Sequence, residues 1–217
     1  MPIFIKKNKI VHFAHIPKTG GTTIEQYIIS SGQAKYAFVD MQHVANPSRF
    51  SWNNSSPQHV DGNTLRRLFP VNFFTHFFTF VRDPVDRFIS SYLFQVKKPF
   101  SPIKNDDINE FVENELVNGI NINGWCDNHF LPQHMFLYPG GNYSAFLLGV
   151  EGMIEAKRYI DKLFEIRSKT TEFPYFHKGD HHETETFRRS LSGISLTRLK
   201  EIYKRDYELL KAFKDYK

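Results

Sequence analysis

The sequence predicts an α/β fold in which a central parallel sheet is flanked by helices. Segments with strand character alternate with segments of helical periodicity, as in proteins built from repeated strand–helix units. Two of the apolar strand segments end in a turn that leads directly into a helix. The 217 residues include 41% hydrophobic side chains, which is enough for one sizeable core. We therefore expect a single domain over residues 1–217.

The first half of the chain contributes most of the predicted strands. Residues 9–15 form an apolar run that ends at a loop rich in Pro and Gly. A helix is predicted to begin at Thr22, because Thr22 and Glu25 have the spacing of a capping box, and to stop near Gly32. Residues 41–62 are polar and are predicted to form a long loop. The other predicted elements are a strand over 35–39, a short helix over 63–69 and a strong strand over 73–81.

The second half is predicted to be mainly helical. Asp83 and Pro84 are an N-cap residue and a proline at the first helical position, and an apolar stripe runs from Val85 to Leu93. The other predicted elements are helices over 106–116 and 153–164, a strand over 146–150, a long helix over 195–213, and irregular segments over 97–105, 118–128 and 168–185.

Charge and cysteine content restrict the class of ligand. The formal net charge of +5 and the pI near 9.2 favour a polyanionic ligand such as a nucleotide or an acidic glycan. Nucleic acid is not expected, because the chain has no RGG tract, zinc-knuckle spacing or long basic run. Cys126 is the single cysteine, which leaves no internal disulfide and fits a cytoplasmic location. No membrane span or signal peptide is predicted, and the Golgi lumen is the alternative if the chain is an excised catalytic domain.

An anion-binding turn is predicted between the first strand and its helix. The segment reads Pro17-Lys18-Thr19-Gly20-Gly21-Thr22-Thr23. Gly20 and Gly21 allow the backbone to approach an anion, free N–H groups at the helix start point at it, and Lys18 adds a positive charge. In the Walker A pattern the lysine follows the last glycine, whereas here it precedes both. The alternative is an ordinary capped helix after a glycine turn.

The segment from His15 to Thr22 resembles the 5'-phosphosulfate loop of sulfotransferases that use 3'-phosphoadenosine-5'-phosphosulfate (PAPS). It is most similar to the branch of heparan and chondroitin sulfotransferases and their small bacterial relatives. The resemblance implies a P-loop-like sheet, PAPS as donor, 3'-phosphoadenosine-5'-phosphate (PAP) as product and a hydroxyl acceptor on a glycan. It also implies that the donor is held by Lys18, Thr19, Gly20, Gly21, Thr22 and Thr23.

A second anion site is predicted after the strong strand. Arg82 ends this strand beside a helix start, where a guanidinium can form two hydrogen bonds to a phosphate. The segment from Phe80 to Phe88, followed by Ser90, resembles the 3'-phosphate site of the same family. The resemblance implies that Arg82 and Ser90 bind the 3'-phosphate. The alternative is that Arg82 pairs with a neighbouring aspartate and Ser90 is a solvated helix position.

A histidine base is expected in the long loop between the two anion sites. The attacking hydroxyl must lose its proton, and the near-neutral pKa of histidine suits that role. His59 precedes a short predicted helix, an arrangement similar to that of the related enzymes, and His43 is the alternative. His12, His15 and His76 lie in or at the ends of strands and are interpreted as structural.

The acceptor side is predicted less directly. The segment from Asn128 to Gln133 resembles an H-x-x-P-Q segment of the family, which implies that His129 and Gln133 contact the acceptor. No metal site is predicted. A metal could use the spacing of His177, His181, His182 and Glu183, but we expect a loop near the nucleotide with Lys178 as a phosphate contact. Asp206 is interpreted as half of a buried structural pair.

These patterns predict a sulfotransferase that moves a sulfuryl group by in-line displacement. One alternative is a P-loop kinase-like phosphotransferase, which should carry GxxxxGK[ST] and a magnesium-binding carboxylate. The other is a noncatalytic nucleotide- or glycan-binding module, which would keep a positively charged cleft but would not need a residue that acts as a general base.

Overall fold

The structure is a computed structural model, which describes residues 1–45, 52–99, 101–103, 107–174 and 181–215. The description excludes the side chains of residues 43–45, 181–182 and 214–215. The strands within these ranges are β1 (Ile3–Lys6), β2 (Lys9–Ala14), β3 (Lys35–Ala37), β4 (His76–Val81) and β5 (Tyr143–Leu147).

The strands form one sheet in the order β3-β1-β2-β4-β5. Strands β2, β4 and β5 run parallel, which confirms the predicted α/β class with its parallel centre. Strand β1 is antiparallel to both β2 and β3 and was not predicted. It pairs with β2 through a tight hairpin in which Lys7 has a φ of 54°. The apolar run of β1 is only three residues long, and the lysines of the turn that follows it give no strand signal.

The helices cover both faces of the sheet. Phe78 and Phe80 of β4 belong to a core that includes residues of α1 and α7, whereas Phe77 and Val81 point to the opposite face. The α-helices of the described chain are α1 (Gly21–Ser30), α2 (Asp40–Ala45), α3 (Gly62–Leu68), α4 (Pro84–Val96), α5 (Ile108–Glu110), α6 (Val117–Gly119), α7 (Val150–Phe164), α8 (His181–Ser190), α9 (Gly193–Ile202) and α10 (Lys204–Asp215). A π-helix, Phe111–Leu116, joins α5 to α6.

Four sequence predictions of local structure were wrong. The predicted loops contain helices α2 and α8, which pack on their neighbours although their sequences are polar. The single helix predicted over 195–213 is divided between α9 and α10 at Tyr203, whose hydroxyl donates to the Phe130 carbonyl at 2.8 Å. The predicted capping box is absent, because Glu25 accepts hydrogen bonds from the Asp40 N–H and from His15.

The parallel strands bring both predicted anion motifs to one edge of the sheet. Since β2 and β4 are adjacent and parallel, the segments after their carboxyl ends, which contain Lys18 and Arg82, emerge side by side.

The predicted base, His59, lies in a 3₁₀ turn, Pro57–His59. No helix in the described part of the chain is long and apolar enough to cross a bilayer.

Candidate active site

The turn after β2 has the geometry of an anion cradle. Lys18 and Gly20 both have left-handed backbone conformations, with φ of 67° and 85°. A non-glycine residue in this conformation is strained, and such strain concentrates at functional sites. Helix α1 begins at Gly21 without a side-chain cap and without an acidic residue in its first turn. The Thr23 N–H donates to the Gly20 carbonyl at 3.1 Å, so the N–H groups of Gly21 and Thr22 are the ones that can face an anion.

Two side chains of the turn have structural tasks. The Thr19 hydroxyl donates to the Ile16 carbonyl at 2.8 Å and is buried, so Thr19 can contact the predicted donor through its backbone only. A Cβ on Gly21 would lie 2.1 Å from Cδ2 of the His15 ring. Gly21 is therefore required by close packing against His15, in addition to its predicted role near the anion.

Cations without carboxylate partners surround the cradle. Lys18, Arg82 and Lys98 form no ion pair among the described residues. Burial lowers the pKa of Lys18 to about 8, and repulsion by Arg82, Lys98 and Lys97 adds to this effect. Uncompensated positive charges at a half-buried turn favour a bound polyanion, which would relieve the repulsion.

Arg82 is held through its backbone by Gln133. The Gln133 amide accepts from the Arg82 N–H at 3.0 Å and donates to the Arg82 carbonyl at 2.8 Å. The Gln133 side chain is fully buried. Gln133 thus positions Arg82, and its predicted contact with the acceptor stays a prediction.

The aspartates after Arg82 pair elsewhere. Arg188 of α8 binds Asp83 at 3.0 Å and also binds Asp86. The Arg82 guanidinium is therefore left without an ion-pair partner among the described residues, and burial lowers its pKa. Asp83 also caps α4 by accepting from the Val85 and Asp86 N–H groups, so an anion near Arg82 would rely on side chains more than on this helix end.

Ser90 lies partly exposed in α4, and its predicted contact with a 3'-phosphate stays a prediction. Its neighbour Ser91 is fully buried and donates to the His129 carbonyl at 2.9 Å. Arg87 donates to the same carbonyl at 2.9 Å. Helix α4 therefore fixes the backbone at His129.

His59 is held by a carboxylate. Its Nδ1 lies 2.8 Å from Oδ2 of Asp127, and the ring is buried. Because an ionised carboxylate can only accept, Nδ1 carries the proton and Nε2 keeps a lone pair. Ser56 fixes the carboxylate, donating to it from its N–H at 2.6 Å and from its hydroxyl at 2.9 Å.

The charge states of this pair are complementary. Burial lowers the pKa of His59, and Asp127 raises it in part. The pKa of Asp127 is held well below its usual range. Burial opposes ionisation, but the charge that His59 carries when it is protonated, its hydrogen bond and the Ser56 N–H together outweigh it. A neutral imidazole oriented by an ionised carboxylate is the arrangement of a general base.

The backbone that carries Asp127 is strained. Cys126, Asp127 and Asn128 are consecutive residues with left-handed φ values of 50°, 56° and 59°. Asn128 secures the turn, because its side-chain amide donates to the His59 carbonyl at 2.9 Å and its oxygen accepts from the Gly124 N–H at 2.9 Å. Three strained residues in a row are kept only where the surroundings hold them, as at functional sites.

The histidine rings form a row across the site. The His59 ring centroid lies 5.1 Å from that of His15 and 5.1 Å from that of His129. His15 bonds through Nδ1 to Glu25, so it repeats the histidine–carboxylate arrangement of His59. The interpretation of His15 as structural fits this buried pair, although the ring lies directly beside the predicted base.

Phe94 connects the histidines to the cradle. Its ring stacks on His129 at 4.9 Å, and the ammonium groups of Lys18 and Lys98 lie 4.4 Å and 4.6 Å from its centroid. Phe94 is 40% exposed, so this aromatic surface is open to solvent. The predicted base and the predicted phosphate-binding lysine therefore belong to one continuous site.

The structure brings together most of the predicted residues and adds others. Lys18, His59 and His129 share the site. Asp127, Phe94 and Glu25 were not predicted; only Phe94 had a visible signal, as an aromatic residue off the apolar stripe of α4. The side chain of His43 and all of His177 and Lys178 lie outside the described residues. Asp206 is fully buried and pairs with His134 at 2.8 Å, as predicted.

A family model described as "Sulfotransferase family" matches residues 1–214. Comparisons with curated proteins and with solved structures gave no match.

Proposed function

The chain belongs to the sulfotransferase family, and we propose that it moves a sulfuryl group from PAPS to a hydroxyl of a carbohydrate, with His59 as the general base. The observation that carries this proposal is the His59–Asp127 pair beside the cationic turn at Lys18. One side of the site can accept a proton, and the other can stabilise negative charge.

The donor site is proposed on the chemistry of its cations. PAPS would supply the sulfuryl group and a phosphate leaving group. The turn from Lys18 to Thr23 would hold the 5' end through backbone N–H groups and the Lys18 ammonium. Arg82 and Ser90 would hold the 3'-phosphate. Lys18 and Arg82 form no ion pair among the described residues, which supports their assignment to the phosphates of PAPS.

The attacking side is proposed to work through His59. Its Nε2 accepts the proton of the acceptor hydroxyl as the oxygen attacks sulfur, and the bond from sulfur to the phosphate oxygen breaks. Asp127 stabilises the imidazolium that forms. Lys18 stabilises the charge that develops on the departing oxygen. His129, next to His59, is proposed to contact the acceptor.

The glycan acceptor rests on the family resemblance of the motifs and on the exposed ring of Phe94, which offers an apolar face for a sugar to stack on. The family match over residues 1–214 supports treating residues 1–217 as one sulfotransferase domain. A cytoplasmic location stays a prediction from the single cysteine.

The proposal is tested by incubating the protein with sulfur-labelled PAPS and a panel of glycans and small alcohols, without added metal. We expect label in at least one glycan and PAP as the second product. Lys18→Ala should lose about a hundredfold or more in turnover, whereas Lys35→Ala, a change of an exposed lysine in β3, should not. Label transfer only to non-carbohydrate alcohols would contradict the glycan proposal, and failure to bind PAP would contradict the donor.

A further inference from the structure

A group of side chains able to bind a metal lies in the same site. His59, Asp127 and His129 each offer one ligand atom, and these atoms all lie within 4.8 Å of one another. Two imidazoles and a carboxylate form a mixed nitrogen and oxygen donor set. Such a set suits zinc and its neighbours among the transition metals, whereas magnesium and calcium prefer oxygen ligands alone.

His129 provides an independent indication of a ligand. Its Nδ1 is buried and has no hydrogen-bond partner among the described residues. A buried polar atom without a partner is uncommon in folded proteins and calls for an explanation.

The charges around the cluster set the expected strength of binding. Ionised Asp127 supplies one negative charge, which favours a divalent cation. Lys18 and Lys98 act on His129 as nearby positive charges and oppose the cation. These opposing effects favour a reversible site over a permanent structural one, and three protein ligands leave a coordination position open.

We propose that His59, Asp127 and His129 reversibly bind one zinc-class ion, and that the bound ion prevents His59 from acting as a base. A metal-bound imidazole has no lone pair for the acceptor proton, and the ion takes Asp127 from its hydrogen bond with His59. The inhibition rests on the proposed function, whereas the metal binding does not.

The binding is tested on the full chain by calorimetric titration with Zn²⁺ and by visible absorption with Co²⁺, in metal-free buffer. We expect one equivalent to bind to the wild type and His129→Gln to weaken binding by about a hundredfold, because a ligand is lost. His76→Gln is the matched control, because His76 is the first residue of β4, at the opposite end of that strand from Arg82. Equal PAP affinity in every variant serves as the check of folding.

Two results would overturn the metal site. Wild-type binding in His129→Gln would place the ion elsewhere, and loss of binding in the double variant His181→Gln/His182→Gln would assign it to the start of α8. Labelled transfer measured with and without Zn²⁺ tests the inhibition. Transfer that continues at full metal occupancy would refute the competition with His59, whereas a chain that binds Zn²⁺ but never transfers label would refute the proposed function and leave the site intact.

Discussion

The pair formed by His59 and Asp127 can be tested by replacing Asp127 with asparagine, which keeps the shape and removes the charge. If the amide oxygen keeps the hydrogen bond from the Ser56 N–H, now 2.6 Å long, the amide NH₂ group faces Nδ1 of His59. That group can only donate, so the imidazole must carry its proton on Nε2. The lone pair needed for catalysis is then lost.

The expected loss can be bracketed. A hydrogen bond to a charged group contributes about 1.5–3 kcal/mol, which corresponds to roughly 10- to 150-fold in rate. The wrong tautomer adds to this loss, and the comparable substitution in a Ser-His-Asp triad costs about 10⁴-fold. We therefore expect Asp127→Asn to lower the plateau rate of transfer by roughly 10²- to 10⁴-fold.

The pH profile separates this role from a structural one. The base acts when His59 is neutral, so activity falls as the pH drops through the pKa of His59. Burial lowers this pKa, and Asp127 raises it in part. Without Asp127 the pKa is lower still, so the acid limb of the profile should move to lower pH while the plateau falls.

The assay is labelled transfer at saturating PAPS across the pH range, together with PAP affinity. Asp61→Asn is the matched control, because Asp61 caps α3 and asparagine caps a helix equally well. The control should keep wild-type rates. An unshifted acid limb in Asp127→Asn, or a rate within a few fold of the wild type, would refute the role assigned to Asp127.

Three further predictions concern the anion cradle. PAP binding near pH 8 should take up a proton, because the phosphates raise the pKa of Lys18 from about 8; heats that do not vary among buffers of different ionisation enthalpy would contradict this. Arg82→Ala should weaken the binding of PAP by about 1.5–3 kcal/mol and the binding of adenosine-5'-phosphosulfate, which has no 3'-phosphate, much less. Equal losses of affinity for the two ligands would mean that Arg82 supports the fold. Gly21→Ala should lower stability by about 1–3 kcal/mol through overlap with His15, whereas thermal unfolding of Gly193→Ala, at an open helix start, should be unchanged.

The sequence predicted the elements that depend on local chemistry. The strand and helix around Lys18 and the Asp83 cap of α4 were predicted because apolar periodicity, glycines and capping residues act over a few neighbours. Strand β1 was missed because its apolar run is only three residues long and is followed directly by lysines. Helices α2 and α8 were missed because tertiary packing overrides their polar sequences.

The site was predicted only where a motif marked it. His59 could be proposed from its place before a short helix, but its partner Asp127 is 68 residues away in an irregular segment. No local pattern joins two such residues, since the backbone turn at Cys126–Asn128 creates the contact. The contact of Gln133 with Arg82 was missed for the same reason, because its hydrogen bonds span 51 residues.

The most direct test of the proposed mechanism is single-turnover transfer from labelled PAPS in His59→Ala and His43→Ala, at saturating donor. A general base contributes about 10²- to 10⁴-fold, so we expect His59→Ala to lose that much while its PAP affinity stays near that of the wild type. His43→Ala should transfer label normally. An active His59→Ala beside an inactive His43→Ala would show that the other histidine is the base, and full activity in both would contradict a histidine base in this loop.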